Sequence, residues 1–342
     1  MPTRRKPQPF DPGDLSQIVK QIRGEPCFCV PFLGAAVNVK DPARAYDGML
    51  IGRELAGEIL STRDFLFLGP KGDRENLAKV ALQYEIRTNR KDLVSKLKYL
   101  IPDDDHEPSP LLRTLARLPF ELIVSTNYDR LMERALEMEG KKEGKDFITI
   151  VQPTSGWDLR ADPDLDSKFK DWSAFEGLLL YKIHGSFRGR ATRKPQAKPP
   201  AGAGAPEPDP AGPLIITEED YIEFMIAMGH DDHERVGIPQ CIRSRMQQKM
   251  LLFLGYGLED WDIRALYKGL IDSLDRSEQR DSFAIQKNAS PLWQSFWNKR
   301  NILVRNFDLY QFADELHQQY FQAPLQWSPA VPASSEPAEK SE

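Results

Sequence analysis

Cysteine is scarce in this chain, with three among 342 residues. Cys27, Cys29 and Cys241 are too few and too unevenly spaced for a disulfide framework, which favours a reducing compartment. Apolar runs of about 18 residues, which a membrane span requires, are also missing. The N-terminus lacks the apolar core of a signal sequence. We therefore expect a cytoplasmic protein that has no contact with a membrane.

An excess of basic residues is absent too. The chain has 46 Lys and Arg against 51 Asp and Glu, which gives a formal net charge of -5. Dedicated nucleic-acid binders carry a basic surface, so nucleic acid is not indicated as a partner. Hydrophobic residues make up 40% of the chain, which is enough to build a core.

Short apolar runs alternate with amphipathic stretches of helical period, which is the α/β pattern. Most runs are continuous, as in strands that helices cover on both faces, so we expect a mostly parallel sheet. The predicted strands are 27–33, 121–125, 147–151, 178–183, 214–216, 250–254, 282–285 and 302–304. The predicted helices are 14–23, 48–61, 74–88, 91–100, 109–117, 129–139, 218–228, 238–248, 260–274, 290–298 and 310–320.

The pattern predicts one large domain over residues 14–327 with two unusual segments. Residues 48–117 hold helical patterns and no convincing strand, so they predict a helical subdomain. Residues 190–213 are so rich in Pro and Gly that they predict a flexible surface insertion. The terminal segments 1–13 and 328–342 predict disordered tails.

In an open parallel sheet the ligand binds beyond the carboxyl ends of the strands, so residues after each strand are candidates. After the first strand, Gly34, Ala35, Ala36 and Asn38 offer a small-residue turn that would let backbone amides approach a diphosphate. Small residues are also common in turns that bind nothing. After the second strand comes Asn127, whose amide could orient a water or a ribose hydroxyl, although turn-forming Asn is more frequent.

Two residues close to Asn127 are also candidates, namely Thr126 and Asp129, although Asp129 also suits a helix N-cap. His184 follows a strong apolar strand and could relay a proton, or it could be satisfied by local backbone groups. The remaining candidates follow the strand at 250–254. The glycines there would allow an adenosine to approach closely, and the acidic residue could hold ribose hydroxyls. The acidic residue could equally be only a helix N-cap. These candidates are Gly255, Tyr256, Gly257 and Asp260.

Together these segments, in this order, resemble the sirtuin-like fold, a Rossmann-like α/β architecture, and especially the zinc-free NAD hydrolases of bacterial anti-phage systems. The resemblance spans roughly residues 25–320. Residues 34–38 resemble the Gly-Ala-Gly-hydrophobic-Ser loop, 126–129 the Thr-Asn-x-Asp element, 183–185 the catalytic His-Gly, and 254–257 a Leu-Gly-Tyr-Ser run. Ala36 and Asn38 depart from the family's glycine and serine, and no clear Pro-Asp-Phe-Arg segment follows.

The resemblance implies that NAD is the substrate, that Asn127 and His184 are catalytic, and that nicotinamide and ADP-ribose are the products. It also implies a homo-oligomer whose activity is held off until a signal arrives, from self-assembly or a separately encoded activator such as a HerA-type ATPase. Two other functions stay open. The first is an NAD-dependent protein deacylase, and the second is a module that binds NAD or ADP-ribose without cleaving it.

Protein-deacylating sirtuins carry two Cys-x-x-Cys pairs that bind structural zinc after the catalytic His-Gly. Residues 185–240 contain no cysteine, so a thiolate zinc site cannot be built there, which opposes the deacylase hypothesis. His230 and His233 flank two aspartates, but no further ligand is evident, so we predict no metal site.

Overall fold

Seven strands form one sheet in a computed structural model that describes residues 10–103, 105–151, 177–187, 214–229, 242, 245–246, 249–259, 261–270 and 281–325. The strands are β1 (Cys29–Leu33), β2 (Leu122–Ser125), β3 (Phe147–Val151), β4 (Leu178–Lys182), β5 (Met250–Leu254), β6 (Ser282–Ile285) and β7 (Ile302–Arg305). The helices are α1 (Pro12–Ile22), α2 (Gly52–Leu60), α3 (Leu77–Arg87), α4 (Arg90–Leu100), α5 (Pro110–Arg117), α6 (Leu131–Met138), α7 (Glu218–Gly229), α8 (Trp261–Leu270), α9 (Pro291–Asn298) and α10 (Leu309–Phe321).

The strand order is β3-β4-β2-β1-β5-β6-β7, and every pair of neighbouring strands is parallel. The prediction of a Rossmann-like, mostly parallel sheet is therefore confirmed. All residues of β1, β2, β4, β5 and β6 are buried, which explains why these strands read as continuous apolar runs.

Helices cover both faces of the sheet. On β1, Cys29 and Leu33 point into one hydrophobic cluster and Val30 and Phe32 into another, as the two-residue period of a strand requires. The first cluster includes side chains from α1, α2, α4, α5, α6 and α10. The second includes side chains from α7, α8 and α9.

The strand predicted over residues 214–216 is wrong. Ile215 N donates to the carbonyl of His184 at 3.0 Å, but the chain then turns directly into α7. Asp220 Oδ2 accepts from the backbone amides of Ile216 and Thr217, both at 2.8 Å. These residues therefore form the entry to a helix, because the Asp220 carboxylate binds the amides that a further strand would need for sheet pairing.

The predicted N-terminal tail is too long, and the helix predicted from residue 48 starts too early. Phe10 is buried against Phe307 and Phe312, and α1 begins at Pro12, so residues 10–13 are ordered by apolar contacts. Helix α2 begins only at Gly52, because Gly48 has a φ of +62° that interrupts the helical pattern. Residues 1–9, the insertion at 190–213, the tail at 328–342 and most of the helix predicted at 238–248 lie outside the described residues.

Residues 48–117 contain α2 to α5 and the 3₁₀ helix Lys71–Glu75, with no strand among their described residues. Helix α5 packs on α6 and α10, so it belongs to the helical layer on the face of the sheet that carries the first hydrophobic cluster. The division of the chain into domains stays a prediction. Among the described residues, no helix is long and apolar enough to cross a membrane.

Candidate active site

The strand order of the sheet reverses direction between β1 and β5, which are hydrogen-bonded neighbours. The chain runs from β1 to β2, β3 and β4 on one side, and β5, β6 and β7 lie on the other. In sheets of this kind a crevice opens beyond the carboxyl ends of the strands at the point where the order reverses. The turns after β1 and β5, both predicted to hold nucleotide, therefore lie at the position that favours ligand binding.

The turns after β1 and β5 are bonded to each other. Gly34 N donates to Leu254 O at 2.8 Å, and Ala36 N donates to Gly255 O at 3.0 Å. A Cβ on Gly34 would lie 2.6 Å from Gly255 O, and Gly255 has a φ of +78°. Both glycines are therefore required by the contact between the two turns, independently of any bound nucleotide.

The turn after β2 joins this pair of loops. Asn127 Nδ2 donates to Gly34 O at 3.2 Å. Thr126 binds the Leu33 carbonyl through both its amide, at 3.0 Å, and its hydroxyl, at 3.2 Å. Tyr256 OH donates to the same Leu33 carbonyl at 3.1 Å. The structure thus gathers predicted site residues from three strand ends around the end of β1.

The outer residues of these loops differ in burial. Ala35 and Gly257 are exposed, whereas Asn38 is buried at 1% exposure. Asn38 Oδ1 lies 3.5 Å from Tyr46 OH, and its Nδ2 has no hydrogen-bond partner among the described residues. A buried donor without a partner is costly, and the described residues leave this one unsatisfied. Asp260 lies outside the described residues.

Asp129 belongs to the same turn as Asn127, between β2 and α6. Its Oδ1 accepts from the amide of Leu131, the first residue of α6, at 2.9 Å, although the N-cap position itself is Arg130. The carboxyl group is buried, and this burial raises its pKa, while the charge of Lys182 acts in the opposite direction. Asp129 therefore has a structural function at the start of α6 as well as a place at the site.

His184 lies just beyond β4, the strand next to β2, and its side chain is enclosed. Its ring packs edge-on against Tyr221 at 5.2 Å and Phe224 at 6.0 Å between ring centroids, both from α7. Burial lowers the pKa of His184 from 6.5 to about 3, so the imidazole is neutral at pH 7. The turns after β2 and β4 are tied by Phe187 N, which donates to Tyr128 O at 3.2 Å.

Sequence reasoning missed the side chains that surround the two predicted catalytic residues. Tyr221 and Phe224 of α7 cover His184, and neither belongs to a sequence motif that would have identified it. Lys182 and Glu133 form a buried ion pair, with Nζ 3.7 Å from Oε2 and the two side chains 1% and 3% exposed. The signal that could have found Lys182 is a single charged residue within the strong apolar run at 178–183.

Among the described residues, no three His, Cys, Asp or Glu side chains form a group that could hold a metal ion. His230 and His233, for which the sequence predicts no metal site, lie outside the described residues.

Comparison with protein-family models matches a SIR2-like domain to residues 121–304, which is more than half of the chain. The chain belongs to the SIR2-like domain family. The matched region runs from β2 into β7 and includes Asn127, His184 and Gly255, while the turn after β1 precedes it. SIR2-like domains are usually NAD-dependent enzymes, so membership in the family implies the use of NAD. No curated protein matches this chain.

Proposed function

We propose that this SIR2-like protein hydrolyses NAD to nicotinamide and ADP-ribose, as a regulated NAD-depleting effector in anti-phage defence. The proposal is supported by Asn127, which follows β2 and donates to Gly34 in the turn after β1, and by His184, which follows the adjacent strand β4. A nucleotide along this edge would have its diphosphate near the turns and its reacting ribose near the amide and the imidazole.

In the proposed reaction the bond between ribose C1′ and the nicotinamide nitrogen breaks, and its electron pair leaves with nicotinamide. Positive charge develops on C1′, where a water oxygen forms the new bond and loses one proton. Asn127 would orient this water or a ribose hydroxyl, since its side chain supplies both a donor and an acceptor. His184 would accept the proton, because general bases act in their neutral form.

The enclosure of His184 bears on this reaction. A ring with a pKa of about 3 is neutral but a weak base. A ribose hydroxyl that replaces part of its apolar surroundings would raise the pKa toward neutrality, where general base catalysis is efficient. The contacts of Tyr221 and Phe224 with the ring would therefore loosen when substrate binds.

The first test measures nicotinamide and ADP-ribose release from NAD by the purified protein, by Asn127→Ala and by His184→Ala. We expect both variants to remain folded and to lose turnover. His317→Ala is the matched control, since His317 is also buried but lies in α10 against Phe321 and Arg117. Equal losses in His184→Ala and His317→Ala would mean that His184 acts only through the fold.

The two alternatives differ in what the same assay shows. An NAD-dependent deacylase would release nicotinamide only when an acetylated peptide is added. A binding module would hold NAD without releasing nicotinamide, and its affinity would not depend on the imidazole of His184. The absence of cysteine from residues 185–240 supports hydrolysis over deacylation.

A constitutively active NAD hydrolase would deplete its own cell, so the proposal includes control of activity. Following the family resemblance, we propose that activity requires self-assembly into a homo-oligomer or a separately encoded activator such as a HerA-type ATPase. Light scattering during turnover tests this part directly. A monomer with full activity and no added partner would contradict it.

A further inference from the structure

Lys182 is a buried lysine at the end of β4, two residues before His184. Its Nζ donates to the backbone carbonyl of Asp129, in the turn that also carries Asn127. The same Nζ lies 3.7 Å from Oε2 of Glu133, in the first turn of α6. The ammonium group of Lys182 therefore contacts both the turn after β2 and helix α6. Lys182 itself is the last residue of β4, the strand that precedes His184.

The positive charge of Lys182 acts on two buried carboxyl groups. Asp129 and Glu133 are both buried, and the charge of Lys182 opposes the rise in pKa that burial causes in each. Glu133 Oε2 accepts no hydrogen bond among the described residues, and it lies within ion-pair distance of Lys182 Nζ.

Other charged and titratable groups also face this pair. Asp103 acts on Asp129 and raises its pKa, and its Oδ2 accepts from Arg130 N at 2.8 Å. Arg130 acts on Glu133 and lowers its pKa. Tyr46, in the segment after β1, is close enough for the charge of Asp129 to raise the pKa of its phenol.

A buried ion pair is weak evidence for stability, because a hydrophobic side chain of similar volume often packs equally well without the cost of desolvation. An ammonium group provides hydrogen-bond donors and a positive charge, and a methionine provides neither. At this position both act on the turn that carries Asn127 and Asp129.

We propose that Lys182 is a positioning residue: its ammonium group holds the turn of Asn127 and Asp129 against the strand end that carries His184, and supplies the positive charge that Asp129 and Glu133 share. Its effect on catalysis rests on the proposed function. Its effect on the geometry and ionisation of the turn does not.

The chain offers a matched control in Lys249, at the opposite end of the sheet. Lys249 precedes β5, is also buried, donates to the Cys27 carbonyl at 2.6 Å and pairs with Glu121 at 2.7 Å. Its contacts are a backbone carbonyl and a carboxylate, as for Lys182. Lys182→Met and Lys249→Met therefore remove the same types of contact at the two ends of the sheet, although Glu121 keeps Arg245 as a partner.

The activity-independent measurement is NMR of the full chain. We expect Lys182→Met to shift the side-chain amide signal of Asn127 and to raise the carboxyl pKa of Asp129, while Asp103→Asn lowers that pKa and Lys249→Met changes neither. An unchanged Asn127 signal and Asp129 titration in folded Lys182→Met would overturn the inference. If Lys182→Met does not fold, Lys182→Met Glu133→Gln, which removes both members of the ion pair, is measured in its place.

The activity measurement is the kinetics of NAD hydrolysis. Misplacement of reacting groups by about 1 Å costs on the order of 10²-fold in rate, so we expect kcat of Lys182→Met to fall by about that factor, with a smaller change in KM. Lys182→Arg, which keeps the charge, should recover part of the loss, and Lys249→Met should keep the wild-type kcat. Equal losses in both methionine variants would show a purely structural effect. If the wild-type protein hydrolyses no NAD either as an assembled oligomer or with its activator added, the proposed function fails, while the NMR measurement still decides on Lys182.

Discussion

The enclosure of His184 predicts a specific dependence of stability on pH. The unfolded chain takes up the imidazole proton near pH 6.5, whereas the folded protein takes it up only near pH 3. Between these values the unfolded state binds more protons, so the free energy of unfolding falls as the pH falls. The contribution of a buried, neutral His184 is fully present above about pH 6.5 and is lost progressively toward pH 3.

The magnitude follows from the two pKa values of His184. Lowering the pH from 7 to 5 should cost about 2 kcal/mol of stability through this residue alone. His184→Gln removes the titration and keeps a side chain of similar length. The variant will be less stable at pH 7 because it buries an amide, but its stability should depend less on pH. The difference between wild type and variant should therefore shrink by about 2 kcal/mol between pH 7 and pH 5.

Urea denaturation at pH 7, 6 and 5, followed by circular dichroism, measures this difference. Other titrating groups, including Asp129 and Glu133 with their raised pKa values, are present in both proteins and cancel to first order. A difference that stays constant between pH 7 and pH 5 would refute the reasoning, because it would show that the ring of His184 is not enclosed in solution.

Three further predictions follow from local packing. Gly255→Ala should lose about 2 kcal/mol or more of stability, since the φ of Gly255 is +78° and a Cβ would lie 2.6 Å from the backbone nitrogen of Val37. Gly57→Ala, which has open space inside α2, should gain up to about 1 kcal/mol. Thermal unfolding compares the two variants, and equal effects would contradict the contact between the turns after β1 and β5. Thr149→Val should stabilise the protein by about 1 kcal/mol, because the buried hydroxyl has no partner in the described part of the chain; a loss in urea denaturation would reveal a missing partner. Tyr221→Ala should raise the pKa of His184 toward 6.5 and Tyr221→Phe should not, as measured by NMR titration; an unchanged pKa in the alanine variant would mean that other groups enclose the ring.

The sheet could be predicted from sequence because a buried parallel strand leaves a simple signature. Continuous apolar runs marked β1, β2, β4, β5 and β6, all of which are buried throughout. The run at 214–216 has the same signature and is no strand, since Asp220 binds the amides of Ile216 and Thr217 and the chain turns directly into α7. Apolar character reports burial, whereas strand pairing depends on partners that the pattern does not show.

The site could be predicted where residues act through the strand they follow, because parallel strands place their carboxyl ends on one edge. Asn127 and Gly34 were therefore expected near each other, and a hydrogen bond joins them. The surroundings of His184 come from α7, about forty residues further along the chain, and no local pattern shows such a contact. Gly255 was interpreted as room for a nucleotide, and the structure shows that it also makes room for the turn after β1.

The most direct test of the central claim is the release of nicotinamide and ADP-ribose from NAD, without any acetylated peptide, by the wild-type protein and by the double variant Asn127→Ala His184→Ala. Under conditions in which the protein is assembled or its activator is present, the account predicts equal amounts of the two products from the wild-type protein and none above background from the folded double variant. Undiminished hydrolysis by that variant would contradict it.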